Sequence, residues 1–269
     1  MPELRDASFR RICALMHETV GMAFGDQKKP LVASRLGPRL ARLGLEDYDD
    51  YFDLVEVDGG GEFQMAVDLL TTNETYFFRE PAHFDLLVRE WDRTRPRSLS
   101  VWSAASSFGD EAYTVAMLAH EAQQAGRIGT DWRVLGTDIS DRVLRSALEA
   151  TYPAERLRHV DEERLRRHCL RGEGAAEGLV QMKPHLRSHV RFGQLNLMQP
   201  IEPLGPFDAV FLRNVLIYFD IPTKVQVVDR VLSQLRPGGL FFLGTAEGRV
   251  PCRTPLQALA PGAFRKVAS

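Results

Sequence analysis

The sequence predicts an α/β protein: a doubly wound, mostly parallel sheet, preceded by an all-helical domain and interrupted by a small antiparallel β-subdomain. Three observations carry that expectation. From residue 98 onward, short apolar runs alternate with stretches of helical period, the pattern of a parallel sheet. Residues 1–70 show helical periodicity and no strand signals. Residues 154–189 break the alternation with a charged stretch and the glycine-rich turn at 172–178. The expected boundaries are 1–70 for the helical domain, 71–97 for a linker and 98–269 for the sheet domain, with 154–189 inserted in it.

In the first domain Phe9, Ile12, Cys13, Met16 and Val20 recur at helical spacing and stop near Gly21. A second helix is expected over Pro30 to Leu43, ended by Gly44, with Arg35, Arg39 and Arg42 on one face. Gly37-Pro38 should kink it or split it. Asp47 to Val55 and Glu62 to Leu70 read as further helices, separated by Gly59-Gly60-Gly61. Charge is uneven here. Residues 1–45 hold eight bases against four acids, and residues 46–70 hold nine acids and no base. Such a split makes either two solvated helix faces or a docking surface for an acidic partner.

The linker's Thr71 and Glu74 match a capping box. Pro81 would stop any helix within about two turns of it, so the polar cluster Asn73, Thr75 and Arg79 is better read as lining something.

The sheet domain opens on residues 98–122. Leu99, Val101 and Trp102 read as a buried strand, followed by small residues, Phe108, Gly109 and a helix. Strand, tight turn and helix begin a nucleotide-type fold, whose ligand sits at the carboxyl ends of the strands. Yet the spacing G-x-G-x-x-G is missing, and Asp110 and Glu111 occupy the first helical turn. Carboxylates there oppose a phosphate and suit a cofactor with positive charge, such as S-adenosylmethionine (AdoMet). The competing reading is that they only complement the helix dipole.

Trp132 to Asp138 is the next strand, and its terminal acid can accept hydrogen bonds from ribose hydroxyls. Ser140 or Asp141 should cap a helix that Tyr152-Pro153 closes. The insert reads as a helix over Glu155 to Arg167 and a small hairpin. Strands follow at Val190 to Phe192 and Phe207 to Leu212, then a helix over Lys224 to Leu235 and a strand at Leu240 to Gly244. Phe264 to Val267 would supply an edge strand. Arg213-Asn214 follows the fourth strand without the Pro-Pro of enzymes that methylate amide or adenine nitrogens, which disfavours such an acceptor.

The chain has 269 residues and a net charge of −2, which gives no electrostatic case for nucleic acid. Cys13, Cys169 and Cys252 lie far apart without C-x-x-C spacing, arguing against a zinc site or disulfides and for a reducing compartment. There is no signal-like start, and no stretch reaches the ~18 apolar residues of a membrane span. A cytoplasmic protein without membrane insertion is expected, and nothing suggests more than a monomer.

Five motifs in order give a specific resemblance: N-x-T-x-F-F-R-E at 73–80, W-S-A-A-S-x-x-G-x-E at 102–111, T-D-I at 137–139, N-L at 196–197 and R-N-V-x-I-Y-F at 213–219. The chain resembles chemotaxis receptor glutamate O-methyltransferases of the CheR type from Phe9 to about Lys266. That resemblance implies a class I AdoMet-dependent methyltransferase fold and a receptor-facing helical domain. It also implies methyl transfer to glutamate carboxylates on the cytoplasmic domains of chemoreceptors, with S-adenosylhomocysteine as product. By position, Asn73, Thr75 and Arg79 resemble the linker residues that reach the cofactor. Glu111 falls at the methionine end, Asp138 at the ribose, and Asn196 and Leu197 beside the adenine. Arg213 and Asn214 complete the pocket, while Arg79 and Tyr218 stand beside the transferring methyl. Three departures stand out: Phe108 where a small residue is usual, which would crowd the cofactor loop; Asp110-Glu111-Ala112 in place of Glu-Glu-Pro; and the Gly37-Pro38 interruption, which bears on receptor docking through Arg35, Arg39 and Arg42.

The chemistry needs no metal and no general base. A glutamate side chain, with a pKa near ~4.3, is already a nucleophile at neutral pH. Arg79 and Tyr218 are the candidates to orient it. Two alternatives remain at this level: a methyltransferase for another carboxylate or hydroxyl acceptor, and an AdoMet-binding regulatory module impaired in catalysis.

Overall fold

The computed structural model describes residues 2–57, 60–248 and 252–267; Gly59 of the expected glycine separator lies outside them. Four helices come first: α1 (Asp6–Val20), α2 (Lys29–Leu43), α3 (Tyr48–Val57) and α4 (Gly61–Leu70). Their inward faces share one core that includes Ile12, Met16, Val32, Leu36, Leu40, Tyr51, Phe52 and Val67. Gly21 and Gly44 end α1 and α2 in the left-handed conformation, the usual use of glycine after a helix. The expected break at Gly37-Pro38 does not occur, and α2 runs through Pro38. Pro38 and Ser34 are both exposed, so the carbonyl that loses its donor faces solvent rather than the core.

The arginines of α2 are mostly engaged within the fold. Arg35 donates to Leu70 O (2.7 Å), Thr71 O (3.0 Å) and Thr72 Oγ1 (2.9 Å), fixing the exit of α4. Arg39 grips the buried Glu62 with two bonds, at 2.8 and 2.6 Å. Arg42 is exposed and makes no hydrogen bond or ion pair among the described residues.

After an extended linker, α5 (Pro81–Thr94) leads into β1 (Ser98–Ala104), α6 (Asp110–Gln124), β2 (Asp131–Asp138) and α7 (Asp141–Glu149). Ser140 caps α7, accepting from the Val143 amide. The helix ends at Ala150, so Tyr152-Pro153 does not close it but belongs to β3 (Thr151–Pro153). The expected insert helix is two pieces, a 3₁₀ turn at Ala154–Leu157 and α8 (Glu162–His168). Asp161 starts α8 afresh by accepting from the Arg164 amide at 2.8 Å, a local cap that outcompetes continuity. β4 (Cys169–Arg171) and β5 (Leu179–Met182) form the expected antiparallel hairpin, and β3, just ahead of residue 154, adds a third strand to give a small sheet of order β3-β5-β4.

The short helix α9 (Pro184–Arg187) returns the chain to β6 (Val190–Gln194), β7 (Phe207–Leu212), α10 (Ile221–Ser233) and β8 (Leu235–Leu243). β8 begins at Leu235, earlier than the expected start at Leu240. The strands β9 (Leu256–Ala260) and β10 (Ala263–Lys266) finish the large sheet, whose order is β6-β2-β1-β7-β8-β10-β9. β6, β2, β1, β7 and β8 pair in parallel, while β10 runs antiparallel to both its neighbours. The Phe264 segment is therefore not the edge, because β9 covers it.

Parallel strands are buried on both faces, and β1 shows how. Leu99 and Val101 point into the core under α5 and α6, and Trp102 and Ala104 into the core under α10. The indole N–H of the fully buried Trp102 donates to Thr137 Oγ1 on β2 at 2.9 Å, so a large apolar ring is buried without orphaning its one donor.

The helical domain is docked on the sheet domain through polar contacts. Asn196 donates to Thr19 O (2.7 Å), the Ala23 amide to Tyr218 O (2.8 Å) and Gln64 to Ile139 O (3.0 Å). Gly21 sits in the seam with φ +77°, and a Cβ there would lie 2.6 Å from Met198 Sδ and 3.0 Å from the Phe219 ring. No helix among the described residues is long and apolar enough to cross a membrane.

Candidate cofactor and active site

β1 continues through α6 to β2 on one side, and the chain later returns to β7 on β1's other side. The strand order reverses there, which opens a crevice at the carboxyl ends of the strands. A cavity of about 960 Å³, counting its open mouth, occupies that place. The residues expected at the site, Asn73, Thr75, Arg79, Glu111, Asp138, Asn196, Leu197, Arg213, Asn214 and Tyr218, all line it. So do Val20 and Met22 of the helical domain, Ile139, Leu195 and Phe219, none of which the sequence reading assigned to the site.

The loop after β1 turns by alternating left-handed residues, Ala105 (φ +62°), Ser107 (φ +51°) and Gly109 (φ +85°). Positive φ is costly for residues with a Cβ and tends to mark functional sites. Gly109 also has no room for a side chain, since a Cβ would meet the Phe192 ring at 2.8 Å. The turn presents the Ser107 amide to Asp138 Oδ2 at 2.8 Å, and the Ser140 amide reaches Asp138 Oδ1 at 3.0 Å. These bonds fix the carboxylate at the end of β2. Burial raises its pKa, and the amides oppose that shift.

Glu111 is held from two sides. Ser103 Oγ donates to Oε1 and Arg213 Nε to Oε2, each at 2.6 Å. Arg213 is itself buried, donates to Arg79 O at 2.7 Å and lies 3.6 Å from Glu80. Its guanidinium stands over the rings of Phe84 and Phe211 at 5.1 and 5.5 Å. Arg213 thus acts as a clamp under the cavity floor, tying the linker, the α6 N-terminus and the end of β7 into one rigid wall.

Two expectations fail at this loop. Asp110 does not share the cavity with Glu111; it turns away, is fully buried and pairs with Arg156 of the insert at 3.1 Å. Burial pushes its carboxyl up to about 6 despite that arginine. Phe108 does not crowd the loop either. Its ring lies outside the cavity lining, with Arg156 at 4.5 Å and Arg142 at 5.5 Å. The extra bulk is taken up between the loop and the insert.

Asn196 lines the cavity, but its amide is engaged elsewhere, donating to Thr19 O and accepting the Met198 amide at 2.9 Å. Asn214 has a left-handed backbone (φ +59°). That turn hangs on Glu247, whose carboxylate accepts the amides of Asn214 (2.9 Å), Leu216 (2.7 Å) and Gly244 (2.8 Å). Sequence reasoning missed Glu247, since it lies beyond the next strand and no spacing links it to the motif it supports.

Tyr218 and Arg79 are partly exposed members of the lining. The Tyr218 hydroxyl is 3.4 Å from Thr72 O, and burial raises its pKa, so it stays a neutral donor at physiological pH. Arg79 donates to Glu74 O at 2.9 Å and lies over the Tyr76 ring at 5.7 Å.

The donor set fits a cationic nucleoside and not a dinucleotide. The α6 N-terminus offers a carboxylate where a phosphate would sit. Asp138 can accept from vicinal hydroxyls, and Val20, Ile139, Leu195, Leu197 and Phe219 provide apolar walls for a flat base.

Comparison with known proteins agrees with this geometry. Residues 7–71 match the family model described as "CheR methyltransferase, all-alpha domain", and residues 73–257 match "CheR methyltransferase, SAM binding domain". The chain is 42% identical over 247 residues to a chemotaxis protein methyltransferase of Escherichia coli K12, covering 91% of this chain and 85% of the relative. It is 38% identical to chemotaxis protein methyltransferase 2 of Pseudomonas aeruginosa, covering 90% and 86%. Among solved structures it is similar to the glycopeptide N-methyltransferase MtfA complexed with S-adenosylhomocysteine, at 18% identity and a TM-score of 0.35, over 68% of this chain and 59% of that one.

Proposed function

The chain belongs to the CheR methyltransferase family, and from that premise we propose which residues of its cavity carry the reaction and how it meets its substrate. It is an AdoMet-dependent methyltransferase that methylates chemoreceptors. The acceptor in this reading is a glutamate side chain, and the product a methyl ester.

When bound, AdoMet supplies an electrophilic methyl on a sulfonium. Everything else falls to the chain. Asp138 accepts from the ribose hydroxyls, and Glu111, immobilised by Arg213 and Ser103, faces the cationic methionine end. Leu195 and Leu197 pack against the base. A glutamate is ionised at neutral pH without help, so the protein has only to align it and exclude water. Arg79 and the neutral Tyr218 hydroxyl hold the incoming carboxylate at the cavity's exposed side. Alignment of this kind can supply about 7–11 kcal/mol of acceleration in favourable cases. The observation that carries the reading is the convergence of Arg79 and Tyr218 at one cavity with the two fixed carboxylates Glu111 and Asp138.

The helical domain faces the receptor in this proposal, and the enzyme works as a cytoplasmic monomer. Chemoreceptor helices rich in glutamate favour approach by basic surface. On α2 that role narrows to Arg42, because Arg35 and Arg39 are held inside the fold. The test is transfer of radiolabelled methyl from AdoMet to receptor-containing membranes. Label released by mild base as methanol supports the reading; base-stable label means a different acceptor, and cofactor binding without transfer means a regulatory module.

A further inference from the structure

Outside the cofactor cavity, three histidines converge from separate elements: His120 of α6, His168 at the end of α8 and His185 of α9. A ring nitrogen of each lies within 4.8 Å of the others, the one such group among the described residues. His168 Nδ1 is 3.2 Å from His185 Nε2, and the rings of His120 and His185 are 4.5 Å apart. We infer that His120, His168 and His185 form a binding site for a borderline divalent metal ion of the zinc class, which ties the inserted β-subdomain to the helix that carries Glu111.

Two features support this beyond proximity. The first is the support for His168. Its Nε2 faces Glu121 Oε1 at 3.3 Å, and a carboxylate there holds the proton on Nε2 and leaves Nδ1 as a lone pair aimed at the cluster. Carboxylate, histidine and metal in series is the recurrent way a ligating imidazole is oriented. Glu121 is fixed in turn by Arg164 at 2.9 and 3.0 Å. Secondly, His120 Nδ1 is buried and has no hydrogen-bond partner. A buried imidazole nitrogen without a partner requires an explanation, and a bound ion is one.

Bonds of about 2.0–2.1 Å in a tetrahedral site place ligand atoms about 3.4 Å apart, and one pair already stands at 3.2 Å. Loading the ion moves the His185 proton from Nε2 to Nδ1, with no net loss. Three imidazoles leave a fourth position to water. An all-nitrogen donor set selects Zn²⁺, Ni²⁺ or Cu²⁺ over Mg²⁺ and Ca²⁺, which require oxygen ligands. Without metal, the same atoms form an N–H···N bond between His168 and His185, and the cluster is only packing. The experiment separates these two states.

Untagged full-length protein, stripped with chelator, is titrated calorimetrically with zinc chloride and with magnesium chloride. Binding of one zinc per chain, no magnesium, and a zinc-dependent rise in melting temperature are expected. Affinity for zinc should fall at least tenfold in His120→Gln and in His185→Gln, and stay unchanged in His159→Gln, which alters an exposed histidine outside the cluster. A cobalt titration of the unmutated protein gives an answer that no folding defect can mimic, through the strong visible bands of a four-coordinate site. Absence of saturable zinc binding, an octahedral cobalt spectrum, or binding kept in both cluster variants would overturn the assignment.

Discussion

Charged side chains are arranged differently in the cofactor cavity and along α2, although both regions are rich in ion pairs. In the cavity, Glu111 and Asp138 are immobilised by donors from the protein and still border an open volume. Along α2, the Arg39 guanidinium meets both oxygens of a carboxylate that has almost no exposure, and Arg35 closes on backbone carbonyls. The first arrangement holds charge ready for a ligand; the second turns charge into structure. An ion pair alone therefore says little about function, and what remains unsatisfied beside it says more.

The largest effect should come from the residue that belongs to both categories. Arg213→Ala would leave Glu111 and Glu80 facing each other with no compensating charge. Loss of one partner of a buried pair costs about 3–5 kcal/mol, so urea unfolding should show a loss of that size together with loss of AdoMet binding. Combining it with Glu111→Gln should restore part of the stability and none of the binding. Full recovery of binding in the double variant would mean that Glu111 is structural, which would erase the contrast between the two regions.

Asp138→Ala should separate the categories cleanly. If Asp138 is the acceptor of the ribose hydroxyls, its removal should weaken AdoMet binding by roughly 1.5–3 kcal/mol, on the order of 10- to 150-fold. Calorimetry with AdoMet and S-adenosylhomocysteine checks it, and equal affinity in variant and wild type would remove Asp138 from the site.

Arg39→Ala is the counterpart on α2, with the opposite signature: a stability loss of about 1–3 kcal/mol and unchanged cofactor affinity. It also carries a pH dependence. Arg39 holds Glu62 below the ordinary carboxylate value of 4.5. A depressed folded-state pKa contributes stability above 4.5 that is lost as the pH falls through the folded value. Melting temperature should therefore drop more steeply below pH 4.5 in the wild type than in Arg39→Ala. Parallel acid limbs would show that the pair contributes nothing.

The same contrast explains what was legible in the sequence. The cavity's members sit where strands end, in runs such as Arg213-Asn214 and Thr137-Asp138, so chain order alone brings them together. Helical spacing placed Arg35, Arg39 and Arg42 on one face, yet it contains nothing about what that face meets. Glu62 and the carbonyls of 70–71 come from α4 and its exit, and only packing reveals them. Val20, Met22 and Glu247 were invisible as site residues for the same reason. Phe108 and Asp110 show the converse failure: both occupy motif positions, but the insert supplies Arg156, which draws each away from the cavity.

Tyr218→Phe should be smaller still. The hydroxyl is proposed to orient the acceptor, so its loss should lower kcat by roughly fivefold, about 1 kcal/mol and typical of one hydrogen bond, with AdoMet affinity unchanged. Methylation at the wild-type rate under saturating conditions would leave Arg79 as the sole orienting group.

The smallest effect, and the most informative about docking, belongs to Arg42. If the basic side of α2 meets acidic receptor helices, Arg42 is the one of its three arginines free to do so. An exposed charge acts mainly on encounter and is screened by salt, with a Debye length of about 10 Å at 0.1 M. Arg42→Ala should raise the KM for receptor a fewfold at low ionic strength, and the difference should vanish as salt is added. Melting temperature and AdoMet affinity should not change. Replacing all three arginines together cannot test this, because Arg35 and Arg39 hold α4 and the linker, and the triple variant would lose stability whatever the receptor does. An unchanged KM at low salt in the single variant would show that α2 carries no docking charge, and the receptor-facing surface would have to be sought on another face of the helical domain.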